Sequence, residues 1–174
     1  NNNQAFKGGG IYAGDGSTIT AQQNLGGFSP KILNNQSVLG GGGIFAKDST
    51  LTLKDSTLIS GNTAGGWGGG IRLLDSTAIL KDNVKILSNT AKFGGGIYVG
   101  GISTLTFTDS TVQVQGNTAT QPTPSGGGIF IFKLGSTPST VPPATLPPNV
   151  AIPGPATQVT GNSPDNIVVG PLGP

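Results

Sequence analysis

The chain has 174 residues, among them 31 Gly and 13 Pro but no Cys, Met, His or Glu. Without Cys or His there is no disulfide framework, no thiolate nucleophile and no imidazole for zinc, haem or general-base chemistry. Charged residues make up 9 % and the net charge is +2, carried by scattered Lys rather than a basic arm, so nucleic acid is not an expected partner; no apolar run approaches the ~18 residues of a membrane helix.

In chain order, the string Gly-Gly-Gly-Ile recurs with its Ile at Ile11, Ile44, Ile71, Ile97 and Ile129. A second signal, Asn-Thr-Ala or a near relative, recurs at Asn35, Asn62, Asn89, Asn117 and Asn162, and its first intervals are 27, 27 and 28 residues. Insertions at Gln22–Pro30 and Gln121–Ser125 lengthen two repeats. Repetition at this period is the signature of a solenoid. Within a repeat the hydrophobic period is 2: Ser49-Thr50-Leu51-Thr52-Leu53 alternates polar with apolar, as do Ser76–Asp82 and Ser103–Asp109. A second strand is predicted on the Gly-Gly-Gly-Ile run. A third leads to the Asn, with Ile32, Ile59, Ile86, Val114 and Val159 three residues before it. Asp-Ser-Thr, Gly-Asn and Gly-Gly supply the corners.

These readings predict an all-β chain: a right-handed parallel β-helix (β-solenoid) of about five coils, a single domain over residues 1–174, roughly 24 Å tall at the usual strand spacing. The repeat Ile column points inward with Ala13, Ala46, Leu73, Val99 and Ile131. Leu51, Ala78 and Leu105, then Leu53, Leu80 and Phe107, follow on the next face. The last coil departs from the pattern. Ten prolines lie from Pro138 onward, and Leu134–Pro155 reads as a Pro-rich loop extruded from the stack, since proline cannot donate to a central ladder. The start at Asn3–Gly10 has the spacing of Asn89–Gly96, so each end is expected to expose an open coil, and end-to-end self-association follows. The first residues are no signal peptide, and a leader is expected to have been removed.

Gly-Gly-Gly-Ile-Tyr/Phe alternating with Ser/Gly-Asn-Thr-Ala resembles the repeats of the chlamydial polymorphic membrane proteins and their bacterial surface relatives. That resemblance covers residues 3 to 169. It implies a secreted, surface-exposed β-helical passenger with a role in adhesion, and hence an extracellular or cell-surface location.

Three columns are candidates for function. Tyr12, Phe45, Arg72, Tyr98 and Phe130 each follow a repeat Ile and are expected to point outward, forming a surface stripe for a glycan, a host or matrix protein, another subunit or the Pro-rich loop; stacking within the sheet is the structural alternative. Thr18/Thr20, Thr50/Thr52, Thr77 (with Ile79) and Thr104/Thr106 form an outward Thr face, similar to the ice-binding plane of β-solenoid antifreeze proteins. Asp15, Asp48 and Asp75, then Asp55, Asp82 and Asp109, stack at two corners. Such carboxylates suit Ca²⁺ or paired-carboxylate glycosidase chemistry, but all sit in turn strings that use Asp to shape the backbone. Asn35, Asn62, Asn89, Asn117 and Asn162 are expected to form a structural ladder of amides along the axis. The reading is therefore a secreted or cell-surface structural β-helix, either an adhesive stalk or the subunit of a head-to-tail filament. The alternative is a flat-face binding protein for glycan or ice, and a polysaccharide lyase or hydrolase comes third. No catalytic residue, cofactor or metal is expected, and no enzymatic activity.

Overall fold

The computed structural model describes residues 1–109, 111–122, 125–132, 139–140, 150–151, 159–160, 162–163 and 167–170. Every regular element among them is a strand. The first coil holds β1 (Gln4–Lys7), β2 (Ile11–Ala13), β3 (Thr18–Ala21) and β4 (Lys31–Leu33); the second holds β5 (Gln36–Gly40), β6 (Ile44–Lys47), β7 (Thr50–Leu53) and β8 (Leu58–Ser60). The third has β9 (Thr63–Ala64), β10 (Ile71–Leu74), β11 (Thr77–Leu80) and β12 (Lys85–Leu87), and the fourth β13 (Thr90–Ala91), β14 (Ile97–Gly100), β15 (Thr104–Phe107) and β16 (Gln113–Gln115). Beyond these come β17 (Thr118–Ala119), β18 (Ile129–Phe132), β19 (Ser139–Thr140), β20 (Val150–Ala151), β21 (Val159–Thr160) and β22 (Ile167–Gly170).

Strands in equivalent places pair in parallel, coil upon coil, into four sheets: β1-β5-β9-β13-β17, β2-β6-β10-β14-β18-β22, β3-β7-β11-β15-β20 and β4-β8-β12-β16-β21. We call them sheets A, B, C and D. The chain is a parallel β-helix. Each coil has four strands where the period-2 pattern predicts three. The additional one, in sheet A, is Gln4–Lys7 and Gln36–Gly40 in the first two coils and a Thr-Ala pair in β9, β13 and β17, where two residues are too short to show any alternation. The Gly-Gly-Gly run is likewise a corner rather than a strand; pairing in sheet B begins at the Ile. Val150–Ala151, in the stretch expected to be extruded, pairs in parallel with β15, and Ser139–Thr140 pairs antiparallel with β22. The remainder of 134–155 lies outside the described residues.

Register makes the columns literal: Ile11, Ile44, Ile71, Ile97, Ile129 and Ile167 are successive partners. With Ala46, Leu73, Val99, Ile131, Leu51, Leu53, Leu80, Leu105, Phe107, Ile59, Ile86 and Val114, all but the first fill one apolar core running along the stack, and Ile11 packs against it half-buried. No coil can bury these side chains alone, so the hydrophobic driving force exists only in the stack.

The corners follow from residue chemistry. Asp48, Asp75, Asp55 and Asp82 sit at φ between +50° and +55°, a left-handed conformation that Asp tolerates better than most residues because its carboxylate bonds locally. Before the first four ladder Asn residues the chain is again left-handed, at Asn34, Gly61, Ser88 and Gly116. Gly68 opens its triplet at φ +64°. Its neighbour Gly69 has an ordinary backbone but no room: a Cβ there would lie 2.4 Å from Gly95 O and 2.5 Å from Thr90 O.

Candidate functional site

Asn35, Asn62, Asn89 and Asn117 sit at the corner between sheets D and A, where the left-handed residue before each turns its amide into the rod. Asn35, Asn62, Asn89 and Asn117 are completely buried. The Asn62 backbone N–H donates to Asn89 Oδ1 at 2.9 Å and its Nδ2 donates to the same oxygen at 3.0 Å. The second Nδ2 hydrogen goes to Ile32 O in β4, on the N-terminal side, at 2.9 Å. The paired bonds to the next Asn repeat from Asn35 to Asn62, from Asn89 to Asn117 and from Asn117 to Asn162, and Asn3 joins at the top, donating to Asn35 Oδ1. The bonds from Asn to Asn all point one way, toward the C-terminal coil, while the second Nδ2 hydrogen of Asn62, Asn89 and Asn117 points back to a carbonyl on the N-terminal side. Buried amides so satisfied cost little, whereas an unmatched one costs the full desolvation. A shorter serine ladder, not anticipated from the sequence although its members also lie 27 residues apart, links the Ser49 N–H to Ser76 Oγ and the Ser76 N–H to Ser103 Oγ, each at 3.1 Å.

Tyr12, Phe45, Arg72, Tyr98 and Phe130 form one continuous column on the outer side of sheet B. They are not an exposed stripe. Tyr12 is 50 % exposed, but Phe45, Tyr98 and Phe130 are 1 %, 5 % and 0 % exposed. A second column covers them: Gly40, Trp67 and Phe93 pair across coils just before each Gly triplet, and the two rings fold back over sheet B. Tyr98 and Phe130 stack with centroids 5.8 Å apart, Phe93 lies 5.6 Å from Phe130 and Trp67 6.3 Å from Tyr98. The signal was present in the strings Trp67-Gly68 and Phe93-Gly94, which place an aromatic at the same offset from the triplet in adjacent repeats.

Arg72, the single Arg of the chain, is inserted among these rings. Its Cζ lies 4.7 Å from the Trp67 centroid, 4.8 Å from Phe45 and 5.8 Å from Tyr98. Nε and Nη1 are buried without a hydrogen-bond partner, so aromatic faces replace oxygen acceptors around the cation. Gly40 makes space for it, since a Cβ there would lie 2.7 Å from Arg72 Cδ. Burial draws the guanidinium below its ordinary range.

Burial also pushes the Tyr98 phenol up to about 12, with the Arg72 charge pulling weakly the other way. The unfolded phenol titrates near ~10, so the folded value is the higher one. This stability is therefore fully present below about pH 10 and is lost as pH rises from 10 through 12. Spectrophotometric titration is expected to show a phenolate step near pH 12 accompanied by loss of structure, absent from Tyr98→Phe. A Tyr98 step near pH 10 in the folded protein would contradict the covered layer.

The Thr face is on the outer side of sheet C. Thr18, Thr50, Thr77 and Thr104 are one column, and Thr20, Thr52, Ile79 and Thr106 the next; Thr18, Thr20, Thr50 and Thr77 are exposed and the others half-buried. The Asp columns flank this sheet, and the carboxylates of Asp55, Asp75 and Asp109 accept backbone N–H groups of adjacent coils. Asp75 Oδ1 accepts the Ile102 N–H at 3.0 Å, and Asp109 Oδ2 accepts the Asp82 N–H at 2.7 Å. Partial burial alone would raise the Asp109 carboxyl. Hydrogen bonds from the Thr111 hydroxyl and from the Asp82 and Thr111 amides outweigh it and hold the group below the usual carboxylate range. Lys47–Asp48 at 2.6 Å and Lys81–Asp82 at 3.6 Å are exposed ion pairs. Among the described residues no three acidic side chains converge as a metal site would require.

Comparison with known proteins gives one finding. Residues 56–73 match the family model of the Chlamydia polymorphic membrane protein (Chlamydia_PMP) repeat, the segment that carries core Ile59, ladder Asn62, Trp67, the Gly68–Gly70 corner and Arg72. No curated protein and no solved structure matches the chain. At its third coil, therefore, the chain carries a repeat of the polymorphic membrane protein kind, set within a parallel β-helix.

Proposed function

We propose that the chain is a structural module of a bacterial surface or secreted protein, working as an adhesive stalk. The observation that carries this reading is the repeat match at residues 56–73, because the matched residues are those that build a coil: core, ladder and corner. Likeness to a polymorphic membrane protein repeat supports an extracellular or cell-surface location. Among the described residues no helix is long and apolar enough to cross a membrane. The protein is not an enzyme in this reading. Asp75 and Asp109 engage their carboxylates with backbone amides of neighbouring coils, an arrangement that shapes corners rather than poises acid and base.

A stalk is favoured over a head-to-tail filament by the edge of sheet B. Ser139–Thr140 runs antiparallel beside β22, so a further parallel coil would meet an edge already taken. A binding face for glycan or ice is the second reading, supported by the exposed, in-register Thr18, Thr20, Thr50 and Thr77.

Two measurements test the proposal. Antibody against the chain is expected to label intact producing cells or their medium, and labelling only after lysis would overturn the surface assignment. Sedimentation velocity is expected to give one mass across a wide concentration range. Growth of long species with concentration would replace the stalk by the filament.

A further inference from the structure

The flank of the rod at the corner between sheets A and B carries a groove of about 430 Å³, lined by Val38, Leu39, Gly65, Gly66, Trp67, Lys92, Phe93 and Gln121. Its origin is a mismatch of coil lengths. From ladder Asn to repeat Ile is nine residues in the third coil, Asn62 to Ile71, and eight in the fourth, Asn89 to Ile97. The surplus residue is absorbed at Gly66, whose carbonyl accepts both the Lys92 and the Phe93 N–H, at 3.0 and 3.1 Å. At this step the third coil presents Gly65 and Gly66, with no side chains, while the coils on either side present Val38, Leu39, Lys92 and Phe93. A slot results, with a backbone floor, aromatic rings along one side and a cation at the rim. It extends over four coils, about 14 Å along the axis at the usual strand spacing.

The surrounding charge is one-sided. Six of the seven Asp lie at the two corners bordering sheet C, and the seventh, Asp165, lies outside the described residues. From sheet A through sheet B, the first five coils contain no acidic residue, but they hold Lys7, Lys47, Arg72 and Lys92, of which Lys47 is paired with Asp48 at the corner beyond. Lys92 is exposed and makes no ion pair among the described residues; Arg72 packs over the Trp67 ring. The volume falls within the range of small-molecule sites, which combine apolar walls with a few placed polar groups.

We propose that this groove binds a sugar that carries a carboxylate or a sulfate. The apolar face of the ring lies on Trp67 and Phe93, the acid group pairs with Lys92 Nζ, and the Gln121 amide bonds a hydroxyl. A ligand of this kind matches the groove in each respect: the rings need an apolar face, the cationic rim a negative charge, and the amide a hydroxyl partner. A neutral sugar would leave the cation unused, and a purely apolar ligand would bury the amide unpaired.

Trp67 is the sole Trp of the chain, so its emission reports on the groove directly. The purified chain is titrated with tetragalacturonate, with the methyl ester of the same tetramer, and with a sulfated tetrasaccharide of equal length, and calorimetry is run in parallel. Saturable changes are expected with at least one of the acidic probes, at least tenfold weaker with the methyl ester, and weaker in high salt. Lys92→Ala is expected to weaken the acidic probe about tenfold. Val38→Glu, at a position 67 % exposed, places an anion on the rim and is expected to abolish binding while circular dichroism is unchanged. Equal binding of acid and ester, an undiminished Lys92→Ala, or silence in both emission and calorimetry would each overturn the proposal.

Discussion

Asn89→Asp is expected to leave the chain unfolded at neutral pH and to restore folding partly in acid. In the native ladder Asn89 Oδ1 accepts two bonds from Asn62, while its Nδ2 donates to Asn117 Oδ1 at 3.0 Å and to Ile59 O at 3.1 Å. A carboxylate preserves the first pair but aims a charged oxygen at two acceptors in a site with no solvent access. Both the burial and the facing oxygens raise the carboxyl pKa in the folded state. Its stability is then fully present below the unfolded value of about 3.9 and is lost as pH rises through the folded one. Asn89→Ala separates geometry from charge. It orphans the Asn62 N–H, one Asn62 amide hydrogen and Ile59 O, at about 1–3 kcal/mol for each buried group. A loss of roughly 3–9 kcal/mol is a large part of the 5–15 kcal/mol typical of a domain. Urea denaturation at pH 7 and pH 4 checks both variants. Asn89→Asp as stable as the parent at pH 7 would show that the ladder bears no load.

Gly69→Ala is expected to cost about 3 kcal/mol or more, at the top of the range for overpacking. The added methyl would lie 2.4 Å from Gly95 O, 2.5 Å from Thr90 O and 2.6 Å from Thr90 N. All three are backbone atoms, and the coils cannot part without breaking bonds such as Gly69 N–H to Gly94 O and Gly43 N–H to Gly69 O. Gly16→Ala is the control. Gly16 is left-handed at φ +78° but has nothing within 4 Å of its Cβ position, so the change is expected to cost only the ~1–2 kcal/mol of a strained backbone. Thermal or urea unfolding compares the two. If Gly69→Ala costs no more than Gly16→Ala, the triplets are not sites of close approach between coils.

The contrast between these glycines marks how far sequence reasoning reached. The inward columns, the Asn ladder and the coil period were legible because each depends on residue identity repeated at one spacing, and stacking turns spacing into contact. The fate of Tyr12, Phe45, Arg72, Tyr98 and Phe130 was not legible by the same logic. Alternation along β6, β10 and β14 assigns these residues to the outer side of sheet B correctly, yet outer is not exposed. What covers them, Trp67 and Phe93, comes from the Gly-rich corner, where no period-2 pattern exists. Sheet A stayed hidden because Thr63–Ala64 and Thr90–Ala91 are two-residue strands, and the groove because it arises from a difference in length between Asn62–Ile71 and Asn89–Ile97 rather than from any motif.

The central claim is that the coils form one stack whose buried amides are bonded along the axis. Hydrogen exchange of the backbone amides of Asn35, Asn62 and Asn89, each donating to an Asn side chain one coil away, tests it most directly. The account predicts that all three exchange only through global unfolding, with one common free energy that equals the denaturation value. Exchange as fast as that of the exposed loop amide of Leu25, or three distinct values falling from one coil to the next, would contradict it.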